Sequence, residues 1–337
     1  MKLLLYSDNH FSTYSSIIRG RGEKYSLRLE NQIKSLTYMY ETASQLRTPV
    51  ICLGDFFDSS KLTGEEITAL TEINRYDMPE TFLVGNHELS RGNLAQSTTH
   101  LFNMTPESMV IDKPCSYDVD GIELCFLPYI LESERKPLKE YFGDKTKKRI
   151  ILSHNDIAGV QMGRYLSKDG FTVEEIESCC DLFINGHLHN GGFVTDKIFN
   201  IGSFTGQNFS EDATKFEHIY VILDTETLKM EFYENPHAFN FYKISFSDPL
   251  PQLKPNAIVA MKVKPEDMEK ANEFIANNKN IVCSRITIEK SIIDSSAEDN
   301  VSLETIDHID KFREYVKTNL ESINPELVAQ ELEAILK

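Results

Sequence analysis

Five short apolar runs, each followed within a few residues by a histidine, aspartate or asparagine, constrain this chain more than any other feature. The runs are Leu3 to Tyr6, Val50 to Leu53, Phe82 to Val84, Ile150 to Leu152 and Leu182 to Ile184. Unbroken apolar runs of this length read as strands buried on both faces. Between the first two, Leu29, Ile33, Leu36, Tyr40 and Ala43 recur at the spacing of an amphipathic helix. A second helix is expected around Ile67, Leu70 and Ile73, before the third strand. Strand, helix, strand makes the first half α/β with parallel pairing. Two antiparallel hairpins are also expected: Tyr117 to Leu127 around Asp120-Gly121, and Ile219 to Tyr233 around residues 224–227.

The residues after the runs are Asp8-Asn9-His10, Gly54-Asp55, Gly85-Asn86-His87-Glu88, Ser153-His154 and Gly186-His187-Leu188-His189. In open α/β sheets, sites assemble at the carboxyl ends of the strands, so five such loops converge on one place. Singly, each is weak: a D-x-H or H-x-H is commonly a loop feature, and a Gly-Asp commonly a turn. Together, each after a strand, they point to a metal site. Imidazole suits Zn, Mn and Fe, while carboxylate and amide oxygens suit harder cations; the mixture favours two borderline divalent ions over calcium or a structural zinc. The glycines before Asp55, Asn86 and His187 fit turns that pass close to the site.

Composition narrows the function classes. With 337 residues, 41% hydrophobic and 26% charged, the chain has the make-up of a globular protein with a sizeable core. A formal charge of −17 argues against coating nucleic acid by electrostatics alone; a polyanionic substrate would be handled locally. No stretch approaches a membrane span, and Met1 to Tyr6 is too short for the apolar core of a signal peptide, so a cytoplasmic address is expected. The six cysteines show no C-x-x-C pair and are expected to be reduced.

After about residue 250 the texture changes. Pro249, Pro251 and Pro255 punctuate the chain, and Ala257 to Val263, Glu266 to Asn277 and Asn280 to Ile288 read as a small β-α-β module. The expected division is 1–250 for the main domain, 251–290 for the module, 291–301 for a polar linker, and 302–337 for acidic, apolar-striped helices.

The order D-x-H, G-D, G-N-H-[DE], H, G-H-x-H, over about residues 1–210, resembles the signature of the calcineurin-like metallophosphoesterases. Gly-Asp-Phe-Phe-Asp at 54–58, the compact loops, and the small module followed by tail helices resemble the SbcD-type nuclease subunits of SbcCD double-strand-break repair complexes, at the length of the phage-type versions. The resemblance implies an α/β four-layer α-β-β-α sandwich with a small α+β capping domain and C-terminal helices. It implies one metal held by Asp8, His10, Asp55 and His189, with Asp55 bridging to a second held by Asn86, His154 and His187. His87 would not be a ligand; it would stabilise the transition state or protonate the leaving 3′ oxygen. Glu88 would steady His87, a surface salt bridge being the alternative, and Asp58 is a further candidate beside a plain turn role. The implied cofactors are two divalent ions, with Mn²⁺ favoured. The implied activity is exonucleolytic or endonucleolytic hydrolysis of DNA at ends or hairpins, in a bacterial or phage-infected cell, with an SbcC-like ATPase that the tail helices dock on and as a homodimer.

Two departures stand out. Asp8-Asn9-His10-Phe11-Ser12 lacks the glycine that commonly follows this motif, and Glu88 stands where SbcD-type chains usually carry Asp. Glutamate there is usual in serine/threonine protein phosphatases, but those continue the second motif with Arg-Gly, where this chain has Asp58-Ser59-Ser60. The alternatives are a phosphoprotein or cyclic-nucleotide phosphoesterase, or a non-catalytic scaffold on the same fold; a scaffold is disfavoured because all seven ligand positions are filled. Arg19, Arg21, Lys24 and Arg91 are candidate DNA-backbone contacts, with solvated loop charges as the plain alternative.

Overall fold

Two six-stranded sheets stack face to face with helices on their outer sides. The structure is a computed structural model that describes residues 1–288 other than Asp77, Gly163, Arg164 and Ser247. The linker and tail helices expected at 291–337 lie outside the described residues. Among the described helices none is long and apolar enough to cross a membrane, and all six cysteines are free.

The first sheet runs Met230–Glu234, Ile219–Asp224, Lys2–Tyr6, Val50–Cys52, Glu80–Leu83, Ser108–Ile111. Its four strands from Lys2–Tyr6 onward are parallel, with Tyr6 opposite Cys52 and Cys52 opposite Phe82. The second runs Gly192–Thr195, Ile198–Asn200, Leu182–Asn185, Arg149–Ser153, Ile122–Leu127, Cys115–Val119. Here Ser153 pairs with Asn185 in parallel register. The five expected strands and both expected hairpins are therefore present, and parallel pairing brings each sheet's ligand-bearing strands out at one end.

The side-chain period of two sorts the cores. From Lys2–Tyr6, Leu3 and Leu5 face the second sheet and join Ile150, Leu152 and Ile184 in the middle layer. Leu4 and Tyr6 face the other way, onto Leu29, Leu36, Met39, Tyr40 and Ala43 of the helix Leu27–Leu46. That helix starts where the Ser26 hydroxyl accepts from the Leu29 amide and ends with Arg47 in the left-handed conformation. The outer face of the second sheet is covered by the helices Leu138–Phe142 and Val173–Cys179, through Leu138, Phe142, Ile176 and Cys179. The result is the expected α-β-β-α layering.

The small module contains the expected strand, helix and strand at Ala257–Val263, Met268–Asn277 and Ile281–Ile288. A further strand, Asn240–Ser245, pairs in parallel with Ala257–Val263 and makes the sheet three-stranded. The module is tied to the rest of the compact unit 1–289 by a shared apolar cluster of Ile18, Phe209, Phe239, Phe241 and Ile258.

Candidate metal centre

The loop after the first strand takes an unfavourable path. Asp8 and His10 both have positive φ, 51° and 48°, as do Asp55 at 48° and His187 at 72°. Non-glycine residues adopt this region rarely and at a cost, and such strain gathers at functional sites. Buried side chains hold the first loop in place. Arg28 Nη2 donates to the His10 carbonyl at 2.9 Å, and Gln32 Nε2 donates to the carbonyls of Asn9 and His10 at 2.7 and 2.9 Å.

Glycines let the other loops approach. A Cβ on Gly85 would lie 2.1 Å from Asp55 Oδ1 and 2.4 Å from the Asp55 amide, and one on Gly54, at φ 106°, would lie 2.3 Å from His154 Nδ1. Only a residue without a side chain fits at either position.

The two carboxylates are each anchored by one oxygen. Asp8 Oδ2 accepts from the His187 amide at 2.9 Å, while Asp8 Oδ1 is buried with no hydrogen-bond partner. Asp55 Oδ1 accepts from the His87 amide at 2.9 Å, and its Oδ2 lies 3.2 Å from His154 Nε2 and 3.8 Å from His10 Nε2.

Each of four histidines is gripped from outside. His10 Nδ1 lies 3.1 Å from Asp58 Oδ1, His189 Nδ1 lies 2.7 Å from Glu211 Oε1, and His154 Nδ1 lies 2.6 Å from the Leu53 carbonyl. His187 Nε2 lies 3.3 Å from Asp156 Oδ1. These oxygens accept, so each outer nitrogen donates and the inner nitrogen is turned inward, where it gives a lone pair once deprotonated, the arrangement by which outer partners orient metal-ligating imidazoles. The inner nitrogens then face other acceptors: His10 Nε2 and His189 Nε2 are 3.1 Å apart, and Asn86 Oδ1 lies 2.9 Å from His187 Nδ1 and 3.3 Å from His154 Nε2. Such approaches need a proton or a metal cation between the facing atoms.

Ligand atoms gather as Asp8, His10 and His189, and as Asp55, His154 and His187, and a further group of His10, Asp55 and His87 joins the two. All seven residues expected as ligands are thus brought together, with Asp55 common to both sides. The orphaned Asp8 Oδ1, the facing inner nitrogens and the mixed nitrogen and oxygen donors suit two divalent cations.

Electrostatics agree. Burial alone would make His10 and His154 harder to protonate. The hydrogen bond from His10 to Asp58, the Asp8 carboxylate nearby, and the charge of Asp55 on both rings outweigh it and lift His10 to about 10 and His154 to about 9. Against the same burial, the His10 imidazole 3.8 Å from Oδ1 and the charges of His154 and His189 hold Asp8 at about 2. His154 is the main influence holding Asp55 well below the usual carboxylate range. A pocket that retains protons this strongly is one from which binding metal expels them.

His87 differs from the buried histidines, with 42% of its side chain exposed. Its ring sits edge-on to that of His10, centroids 4.5 Å apart, and its Nδ1 lies 3.2 Å from the Asp58 carbonyl. Burial, then the charge of His10, pushes its pKa below the ordinary value.

Glu88 departs from expectation. It is fully buried and accepts from the amides of Phe57 and Gly85, both at 2.9 Å. The group beside the His87 ring is Asp58 instead. Glu88 ties the second and third loops together through their backbones, and burial followed by the Asp55 charge raises its pKa to about 7.

Glu211 and Asp156 are not marked by the sequence motifs. Of the candidate DNA contacts, Lys24 is paired with Glu72, Arg21 donates to the Lys24 carbonyl, and Arg91 is an exposed turn residue with φ 54°. Arg19 lines a cavity beside the small module.

The family model described as calcineurin-like phosphoesterase matches residues 1–191, more than half of the chain and every ligand loop. The chain belongs to that family. Its domain is therefore that of a metal-dependent hydrolase of phosphoesters. This calcineurin-like phosphoesterase is similar to solved structures at low identity. One is TT1561 of Thermus thermophilus, 11% identical, covering 69% of this chain and 98% of that one with a TM-score of 0.41. Another is described as a dimetal phosphatase from Danio rerio, 14% identical, covering 70% and 96%, with a TM-score of 0.42. No curated protein matches the chain.

Proposed function

We propose that this phosphoesterase is the SbcD-type nuclease subunit of an SbcC-containing complex. It hydrolyses DNA phosphodiester bonds at ends or hairpins, with two divalent cations, Mn²⁺ favoured. The observation that carries the reading is the small three-stranded module, which packs through Phe209 against the segment that supplies Glu211 to His189. Alongside stand the Gly-Asp-Phe-Phe-Asp form of the second motif and the missing Arg-Gly after it.

Bound cations would supply a hydroxide nucleophile and charge for the phosphate oxygens. The chain's own part is to hold the donors apart and preorganised. The outer acceptors fix each ring, and the anchored oxygens of Asp8 and Asp55 leave one oxygen each for the cluster. His87 carries its proton on Nδ1, against the Asp58 carbonyl, so its neutral ring offers Nε2 as an acceptor. It would take up the proton released by the attacking water before delivering one to a leaving 3′ oxygen, and its lowered pKa keeps it neutral near pH 7 until then.

The test is cleavage of end-labelled linear and hairpin duplexes by the purified chain with Mn²⁺, Mg²⁺ or chelator, beside His87→Ala and a phosphopeptide control. Mn²⁺-dependent DNA loss that the substitution abolishes supports the reading. DNA that survives even with the ATPase and ATP, while a phosphomonoester is hydrolysed, overturns it in favour of a phosphatase. The partner is tested separately: deleting residues 302–337 is expected to abolish co-purification with the ATPase, and unchanged co-purification removes the docking role.

A further inference from the structure

We propose that two adjoining cavities sharing Phe209 form a track that holds a single strand of nucleic acid as it leaves the metal centre; this rests on the nuclease reading above. The larger, about 540 Å³, is lined by Leu188 and Asn190, the chain neighbours of His187 and His189, and by none of the ligands themselves, so it adjoins the loop that bears them. The smaller, about 260 Å³, lies where the loop after the first strand meets the last strand of the small module, and Phe209 is a wall of both.

Each cavity carries cations. Lys215 and Lys243 line the larger, and Arg19 and Arg285 the smaller. All four are exposed, and among the described residues none has a carboxylate within ion-pairing distance. This contrasts with Lys2, Lys145, Lys147 and Lys254, each of which is paired. Asp212 also lines the larger cavity, with its Oδ1 taken by the amide and hydroxyl of Thr214. The Arg285 guanidinium lies over the Phe209 ring, 4.8 Å from its centroid.

A small phosphate ester needs none of this beyond the ligands. Concave pockets with aromatic walls and unpaired cations at successive positions suit a chain of alternating flat bases and phosphates. Separate pockets divided by a side chain admit bases that have left the stack, whereas the bases of an intact duplex stay stacked inside it and present only their edges. The occupant is therefore one strand, with its phosphates on the four cations.

The test is anisotropy of a labelled single-stranded oligonucleotide bound to the full chain in chelator, so that nothing is cut, over a range of salt. In Arg19→Ala/Arg285→Ala the slope of log affinity against log salt is expected to fall by about 1.4, at about 0.7 per lost phosphate contact. Affinity is expected to fall about tenfold with an unchanged melting temperature, and Lys2→Ala/Lys147→Ala, which removes two charges from outside the cavities, is the control that changes neither slope nor affinity. The single strand is expected to outcompete a blunt duplex of the same sequence. An Arg19→Ala/Arg285→Ala variant that binds like wild type, or a Lys2→Ala/Lys147→Ala that loses as much, overturns the track, and a blunt duplex that competes equally overturns the unstacked strand. If wild type cuts DNA and the variants bind as it does, only the track falls. If wild type neither binds nor cuts DNA yet hydrolyses a small phosphodiester, the nuclease reading falls with it.

Discussion

The carboxylate of Glu211 accepts a hydrogen bond from His189 Nδ1 at 2.7 Å, and the same side chain accepts from the Gln207 amide at 2.7 Å. One buried residue thus sets the tautomer and tilt of an imidazole in the candidate metal cluster and fixes its own loop at 207–211. Glu211→Gln keeps the size and one acceptor but removes the charge that makes the ring a stronger donor to metal. Outer partners of this kind are worth about 10–100-fold in metal affinity. A drop of that order in Mn²⁺ affinity, read by calorimetry on the metal-free protein, is expected. Affinity equal to wild type would show that Glu211 serves the loop alone.

Gly85 tests the close approach of the loops. Alanine there puts a methyl against Asp55, whose position both sets of ligands share. Overpacking of this kind costs about 1–3 kcal/mol, and a displacement of about 1 Å at a reacting centre costs about 100-fold in rate. Gly85→Ala is expected to lose both. Gly64, first residue of the helix Gly64–Leu70, has nothing within 4 Å of an added Cβ, so Gly64→Ala is expected to be neutral or to stabilise by up to about 1 kcal/mol. Equal thermal melts and equal activity in the two variants would contradict the crowding at Gly85.

The strand ends are readable in the sequence because period and chemistry coincide there: an apolar run forces burial, and the polar residue that ends it needs a reason. Asp156 and Glu211 carry no such mark. Their roles arise when loops 31 and 22 residues away in the chain fold back onto them, and in sequence they are ordinary loop acids. For Glu88 the sequence points to the wrong neighbour, because adjacency to His87 suggests contact, whereas a carboxylate turned inward finds backbone amides. The strand Asn240–Ser245 escapes a reading by pattern because its partner lies across a proline-punctuated link, so no hairpin signal joins the two.

Arg149 gives a prediction away from the metal. It is 1% exposed and donates to Glu123 at 2.8 Å and to the carbonyls of Phe142, Gly143, Asp144 and Cys179. Those carbonyls belong to the ends of the helices Leu138–Phe142 and Val173–Cys179, where acceptors lack intrahelical partners and a cation is favoured. Arg149→Ala leaves them and Glu123 without a donor, which costs about 3–5 kcal/mol. A melting temperature lower by roughly 10 °C, with Mn²⁺ affinity intact, is expected. A change under about 2 °C would mean that water replaces the guanidinium freely.

Acid should weaken the fold through Asp181. Burial alone would raise its pKa, but Lys145 at 2.7 Å and the Arg149 amide at 2.9 Å favour the carboxylate, and the net value is lowered. A folded pKa below the unfolded value of about 3.9 gives stability that is complete above that value and lost as pH falls through the folded one. Wild type should therefore melt above Asp181→Asn near neutral pH, with the gap closing below about pH 4. A gap that stays constant with pH would show that the carboxylate's charge contributes nothing.

Metal removal should act on the same fold from its other end. Without cations, Asp8 Oδ1 is buried and unpartnered, and the inner nitrogens of His10 and His189 meet at 3.1 Å with only a proton to share. Cations that bind this cluster and not the unfolded chain stabilise by mass action, about 2.7 kcal/mol at a hundredfold excess over Kd. Melts in chelator and at rising Mn²⁺ are expected to climb with the logarithm of free metal. In His154→Ala the climb should shrink, because one side of the cluster loses a donor while Asp8, His10 and His189 remain. A melting temperature indifferent to metal in wild type would mean that the cluster's own hydrogen bonds, without any cation, satisfy the site.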